Sequence, residues 1–266
     1  MTLGNLTTDD LVLLTDAKGR RYLIRLEEGG EFRSHAGITG HDLLIGQPEG
    51  LEVSSTKGQR FRAFRPTFEE YVLEMPRGAQ VIYPKDLAPM MTLGDIGPGL
   101  DVFESGIGSG ALSMALLRAG ANVTGYEIRE DFASRARKNI EGFMGDVSNR
   151  YTIEIRSAYE SIDGIYDRVM LDLPEPWQVV PHAQKALRPG GIIVAYTPSI
   201  TQAVGFREVL ATTHFIEEKT IEVLHRGWYI EGQAVRPDHR MVAHTAFLTR
   251  ARLATPSPTD LVATGP

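Results

Sequence analysis

From residue 100 onward the chain repeats one unit, and this repetition constrains the fold more than any other feature. An apolar run, Asp101-Val102-Phe103-Glu104, leads through a glycine-bearing turn into helical spacing over residues 111–119. A second apolar run at 121–127 precedes helical spacing at 131–142. Runs at 151–156, 168–172 and 191–196 read as strands three, four and five, with a helix at 178–187 before the last. Alternation of this kind predicts an α/β fold, a mostly parallel sheet with helices on both faces. Ligands of such sheets bind at the carboxyl ends of the strands, near the switch in strand order. A helix at 200–210 and strands at 215–224 and 244–250 are expected to close the domain.

Ahead of residue 66 the texture is different. Leu11-Val12-Leu13-Leu14 and Arg21-Tyr22-Leu23-Ile24-Arg25-Leu26 are short runs flanking Lys18-Gly19, a hairpin loop by its residue types. The expected organisation is a small N-terminal, mostly-β domain (1–65), a connecting helical segment (66–99) with a helix from Thr67, the α/β domain (100–253), and a tail (254–266). That tail is small, polar and proline-rich and is expected to be disordered.

Composition removes whole classes of function. With no cysteine, disulfide frameworks, thiolate zinc sites and cysteine nucleophiles are excluded together. Twenty-eight Lys+Arg against 34 Asp+Glu give a charge of −6, which argues against a uniformly basic nucleic-acid surface but not against a local one. No window has the length and apolarity of a membrane span, and Met1 to Asp10 carry no secretory pattern. A cytoplasmic protein is expected.

Glu104-Ser105-Gly106-Ile107-Gly108-Ser109-Gly110 follows the first strand and opens the first helix at Ala111. Glycines permit the sharp turn and let backbone approach a ligand without Cβ interference. Glu127 ends the second strand, where nucleotide-binding sheets place the acid that holds ribose hydroxyls. A bare turn and a solvated carboxylate are the competing readings, and their joint occurrence favours a nucleoside cofactor. Gly106-x-Gly108-x-x-Ala111 also fits the dinucleotide fingerprint, so a nicotinamide-dependent oxidoreductase stays open on the loop alone.

The end of strand four separates the two. Leu171-Asp172-Leu173-Pro174-Glu175-Pro176-Trp177 resembles the acid–Pro–Pro–aromatic pattern of S-adenosylmethionine (AdoMet)-dependent amino methyltransferases, with one residue inserted. A carboxylate there can orient an exocyclic amine and take its proton while a ring nitrogen is alkylated. Helix capping by Asp172 and core packing by Trp177 are the alternatives.

Three further runs make the match specific: Met75 through Asp86 (MPRGAQVIYPKD), Val194 through Gln202 (VAYTPSITQ), and Arg236-Pro237-Asp238-His239-Arg240 with His244-Thr245-Ala246-Phe247-Leu248. In order and kind they resemble the tRNA (adenine-58-N1)-methyltransferases of bacteria and archaea, over residues 6–253. The resemblance implies an AdoMet-type Rossmann-like sheet behind the β domain, methyl transfer from AdoMet to N1 of adenine 58 in the T-loop of tRNA, and a homotetramer. It implies that Gln80 folds over the cofactor, that Glu104, Ser105, Gly106, Gly108, Ser109, Gly110 and Ala111 form the loop around the methionine moiety, and that Glu127 holds the ribose. Asp172 matches the catalytic carboxylate, and Tyr83 and Tyr196 match aromatic positions near the target base. The family's acid shortly after strand three, which contacts the adenine side of the cofactor, has its nearest candidate here in Glu160, and Ala243 stands where the closing motif usually has glycine.

Weaker signals remain. Lys57, Arg60, Arg62 and Arg65 with Phe61 and Phe64 form an acid-free stretch, an RNA-facing edge or a solvated one. Arg236 and His239 are expected to contact RNA or a neighbouring subunit, and Arg77 and Lys85 to reach phosphate or a subunit salt bridge. His225, His239 and His244 lack helical pair spacing, so no metal site is expected. A protein or small-molecule acceptor is the main alternative, and a non-catalytic RNA-binding subunit fits poorly with an intact loop and acid.

Overall fold

The structure, a computed structural model, describes residues 4–78 and 80–255. It contains two compact units, Met1–Pro76 and Arg77–Pro266. The tail expected to be disordered lies, from residue 256, outside the described residues.

In the first unit, β1 (Leu11–Asp16) and β2 (Arg21–Arg25) form the hairpin around Gly19, whose φ of 76° suits glycine. β3 (Glu31–Ser34) pairs with β4 (Gly37–Gly40), while β5 (Glu52–Ser54) and β6 (Arg60–Phe64) complete a sheet of order β2-β1-β6-β5. Val12, Leu14, Phe61 and Ala63 alternate inward onto Leu6, Leu26 and Leu44. Helix α1 (Phe68–Glu74) begins at a capping box between Thr67 and Glu70 and belongs to this unit.

The acid-free stretch is not a free basic edge. Arg60 and Arg62 both pair with Glu52 of the neighbouring strand, at 3.2 and 3.1 Å, and Arg65 is held between Asp10 and Glu49 at 2.6 Å each. Pairing across strands brings in acids that a linear window does not contain. Phe61 is core.

The second unit opens with α2 (Pro84–Leu93), followed by β7 (Asp101–Ser105), α3 (Ala111–Arg118), β8 (Asn122–Glu127), α4 (Glu130–Met144), β9 (Tyr151–Ile155) and β10 (Tyr166–Leu171). A 3-10 turn at Pro176–Val179 leads into α5 (Val180–Ala186), then β11 (Leu187–Thr197), α6 (Ile200–Leu210) and β12 (Phe215–Glu222). β13 (Trp228–Glu231), β14 (Ala234–Pro237) and β15 (Phe247–Leu253) complete the described chain.

Seven strands form one sheet in the order β12-β15-β11-β10-β7-β8-β9, parallel from β11 to β9 and antiparallel at β15 and β12. From β7 the chain steps outward through β8 to β9, then returns to β10 on the other side of β7. With right-handed crossovers this reversal puts α3 and α4 on one face and α5 and α6 on the other. Phe103, Val169, Ile193 and Ala251 align across four strands and pack against Val180, Ala183 and Phe206. No helix among the described residues is long and apolar enough to cross a membrane.

Two expectations are corrected. The last strand runs over 247–253 rather than 244–250, because His244 and Thr245 spend their side chains on hydrogen bonds to other segments. The β13–β14 hairpin was not expected, since both its strands are exposed and show no alternation.

Phe103 is fully buried, with ring centroids 4.8 Å from Tyr126 and 5.4 Å from Tyr166. Phe103→Ala is expected to remove about 3–5 kcal/mol from the unfolding free energy of the second unit in a denaturant titration; a loss below about 1 kcal/mol would contradict this placement of the core.

Candidate functional site

β7 and β10 are neighbours whose onward connections diverge, so a crevice opens at their carboxyl ends. The backbone closes it tightly from below. Asp172 N–H donates to Ser105 O at 2.9 Å, and Gly106 N–H to Tyr126 O at 3.2 Å. Gly106 has φ 87°, and a Cβ there would run into the carbonyl oxygen of Asp172. Only glycine lets the loop and the end of β10 approach this closely. Gly110, also left-handed at φ 87°, starts α3 and packs under Ile140 and Ala136 of α4.

Above this floor lies a cavity of about 460 Å³, lined by Gln80, Val81 and Ile82 on one side, Gly106, Gly108 and Glu127 on the second, and Asp172, Leu173, Pro174 and Tyr196 on the third. Ile128, Arg129, Phe132, Pro198 and Gln202 complete it. A small extension beneath the loop reaches Ile107, Ser109, Ala111 and Leu112. The apolar side chains of Ile128, Phe132, Leu173 and Pro174 offer a slot for a flat base, and Glu127 sits between that slot and the glycine loop.

The charged groups around the cavity are mostly carboxylates. Glu127 is held by two backbone N–H groups, Gly108 at 3.2 Å and Arg129 at 3.0 Å. Glu104 is fully buried beneath the loop; its Oε2 accepts from Ser113 Oγ at 2.7 Å while its Oε1 has no hydrogen-bond partner. Burial pushes the Glu104 carboxyl up to about 8, the charges of Asp172 and Glu127 add to the rise, and the Ser113 bond works against it. Asp172 faces the cavity in part, yet the surrounding protein leaves it little bulk solvent. Its carboxyl is raised to about 7, first by burial and then by the Glu127 charge. Three mutually repelling acids with one orphaned oxygen form a site for a ligand that carries positive charge and hydrogen-bond donors. A nucleoside bearing an ammonium and a sulfonium fits that description.

The structure therefore brings Gln80, Gly106, Gly108, Glu127, Asp172 and Tyr196 to one cavity, Ser109 and Ala111 to its extension, and Glu104, Ser105 and Gly110 into the support beneath. Others it does not bring there. Glu160 is exposed and absent from the lining, and no residue between β9 and β10 reaches it. Tyr83 caps α2 and lines a neighbouring cavity with Arg77, Gly78 and Gln80. Arg236 lies on β14 with its guanidinium 4.5 Å over the Tyr229 ring, and His239 follows in an exposed loop. Trp177 packs among α5 and α6 rather than facing the cavity, the core role weighed against stacking. Asp172 caps no helix, which removes the structural alternative for it. Lys85, expected to reach phosphate or another subunit, is buried and paired with Asp86 at 2.9 Å.

Sequence reasoning missed the apolar slot and Gln202. Gln202 forms a capping box with Ser199 at the start of α6 and donates from Nε2 to Pro174 O at 2.8 Å. It ties the turn after β11 to the turn after β10; the signal was the pattern Ser199-x-x-Gln202, a helix start with a side chain to spare.

Comparison with known proteins agrees with this geometry. The profile described as "tRNA methyltransferase complex GCD14 subunit" matches residues 61–244, and one described as "TrmI-like N-terminal" matches residues 4–53. The tRNA (adenine(58)-N(1))-methyltransferase TrmI of Thermus thermophilus is 38% identical over 244 residues, 91% of this chain and 96% of the relative. Among solved structures, a SAM-dependent O-methyltransferase of Thermotoga maritima superposes with a TM-score of 0.89 at 29% identity, covering 95% of this chain and 96% of that one. The tRNA (m1A58) methyltransferase TrmI of Aquifex aeolicus superposes with a TM-score of 0.82 at 26% identity, covering 95% of this chain and all of the other (100%). The chain belongs to the tRNA (adenine-58-N1)-methyltransferase family.

Proposed function

We propose that this protein transfers the methyl group of AdoMet to N1 of adenine 58 in the T-loop of tRNA. The observation that carries the reading is the acidic cavity at the β7–β10 switch, with Asp172 at its wall beside Tyr196 and Pro174. AdoMet, when bound, supplies a methyl group made electrophilic by a sulfonium. Glu127 holds the ribose hydroxyls, and Gln80 covers the cofactor from the side of α2. The orphaned Oε1 of Glu104 lies beneath the loop expected to surround the methionine moiety, where an added donor completes its hydrogen bonding.

Asp172 has the properties of a general base. Raised to about 7, its carboxyl stands near neutrality, where proton acceptance and availability of the basic form are balanced. No side chain among the described residues donates to this carboxylate, so it is open to the exocyclic amine of the base. It orients N1, and it takes or stabilises the proton that the amine holds more loosely as positive charge appears on the ring. Reaching N1 in a folded T-loop requires the base to leave its stack.

The same reading includes self-association as a homotetramer in the cytoplasm. All eight residues of β13 and β14 are exposed or nearly so, with Trp228 at 57%, Ile230 at 72% and Val235 at 61%. A two-stranded ribbon with apolar side chains in water is marginal alone and is stabilised by a covering partner. Arg226, Arg236 and Arg240 on and around the hairpin then join basic groups from several copies, which offsets the net charge of −6 of each chain.

Incubation with tRNA and labelled AdoMet, followed by mass spectrometry of the nucleosides, is expected to find 1-methyladenosine at position 58. Label in another nucleoside, or in protein only, would sink the proposed acceptor. Asp172→Ala should lower turnover by roughly 100-fold or more while AdoMet affinity changes only a few-fold; near-normal turnover would remove Asp172 from the role. Light scattering should find an assembly larger than a monomer, and Ile230→Asp with Trp228→Ser should shift it to smaller species. A monomeric wild type would contradict self-association.

A further inference from the structure

A second cavity of the same unit, about 380 Å³, lies between the last turn of α2 and the strands β11, β15 and β12. Its charge is opposite to that of the acidic cavity. Lys219, Arg250 and Arg252 bring three cations to its lining, and Asp95 is the one acid there. The Asp95 carboxylate pairs with Arg168 at 3.0 Å. Glu217 stands 3.7 Å from Arg250, beyond hydrogen-bond distance, and is 54% exposed. Arg252 gives Nε to Gly190 O at 3.2 Å and has no ion pair among the described residues. Lys219 has neither a hydrogen bond nor an ion pair among them.

The backbone is bent to produce this cluster. β12 pairs with β15 through Ile216 opposite Arg252, and an unbroken ladder would next bring Glu218 opposite Arg250, an acid against a base. Instead the register shifts, two residues of β12 stand against Ala251 alone, and Lys219 comes opposite Arg250. Glu217 in this bulge has φ 55°, in the left-handed region that favours glycine. Glu218 is turned to Arg207 of α6, at 3.8 Å. The bulge therefore exchanges a favourable cross-strand pair for two like charges face to face, which destabilise a sheet. A strained backbone that gathers repelling cations at a cavity is accounted for by an anion that bridges them.

We propose that Lys219, Arg250 and Arg252 form a binding site for a phosphate group of the tRNA backbone, a site separate from the one that takes the methylated base. The assignment of the phosphate to tRNA rests on the reading of this protein as a tRNA methyltransferase. Two guanidinium forks and an ammonium supply the donors that phosphate oxygens accept from. Lys219 and Arg252 are exposed, so the phosphate can be bound while it remains part of a larger molecule. The ten residues of α2 measure the separation. Val81 and Ile82 just before the helix line the acidic cavity, while Thr92 and Leu93 at its end line this one, about 15 Å further on. A contact at that distance from the reacting base fixes the position of the RNA and reads no base.

The test compares wild type, Lys219→Gln and Lys219→Arg in direct tRNA binding between about 50 and 200 mM salt. Lys219→Gln should weaken binding roughly three- to tenfold at the lower salt and reduce the salt slope by about 1, while Lys219→Arg stays within about twofold of wild type. The AdoMet Kd should change by less than about twofold in both. Because the substitution removes a like-charge pair, Lys219→Gln should melt at or above the wild-type temperature, whereas loss of a merely structural lysine would lower it. A second arm uses inorganic phosphate against chloride at equal ionic strength. Phosphate should raise the melting temperature of wild type more than that of Lys219→Gln, the rise common to both being the general effect of the salt. Unchanged tRNA affinity and salt slope in Lys219→Gln would overturn the proposal. A phosphate response lost in the variant with tRNA binding intact would overturn it too, since the site would then take free phosphate. Binding is read without methylation, so a wild type that modifies another position sinks the choice of acceptor and leaves this site standing.

Discussion

The parallel pairing of β7 with β10 is the constraint on which the rest of the site depends. It places the glycine loop and Asp172 side by side, and the hydrogen bond from Asp172 N–H to Ser105 O continues the ladder one step past the strands. Gly106 is what lets that step occur, since a side chain there would occupy the space of the Asp172 carbonyl. Because the chain leaves β7 in one direction and returns to β10 from the other, no connection covers this end of the sheet. The cavity follows from topology, and its chemistry follows from which residues end the strands: Glu104, Glu127 and Asp172.

Gathering three acids has a cost that the fold bears alone. Glu104 and Asp172 are raised in the folded state, to about 8 and about 7, above their ordinary carboxyl values. A carboxyl raised on folding favours the folded state while it is protonated, and that advantage is lost as pH rises through the folded value. The protein without cofactor therefore loses stability between weakly acidic and weakly alkaline pH on account of Glu104 and Asp172. A cation bound among them reverses the sign: it favours the ionised forms and recovers the stability. The site is thus built to be completed by positive charge.

Much of this was legible in the residues. The alternation of apolar runs and helical spacing located the five parallel strands and their helices to within a few residues, because β7, β8, β10 and β11 are mostly buried and read as apolar runs, while the edge strand β9 is half-exposed. The glycine loop, Glu127 and Asp172 were visible because chemistry at a strand end needs unusual residue types. What was not legible depended on partners distant in sequence. Glu52 neutralises Arg60 and Arg62 across a strand pair, and Thr245 and Val223 bury Lys85 from more than a hundred positions away. Glu160 stands after a strand near where the family carries its acid, yet it is an exposed carboxylate outside the lining, so position along the chain alone does not aim a side chain. The β13–β14 hairpin escaped because exposed strands carry no inward-outward alternation.

The measurement that tests the central claim most directly is calorimetric titration of AdoMet into the protein between about pH 6 and about pH 7.5, below the range where the amino group of the ligand itself loses its proton. It is carried out in two buffers of different ionisation enthalpy. If Glu104 and Asp172 are protonated in the free protein and ionised around a cation, affinity rises with pH across this window and protons are released on binding. Affinity independent of pH, with no proton released in either buffer, would contradict it.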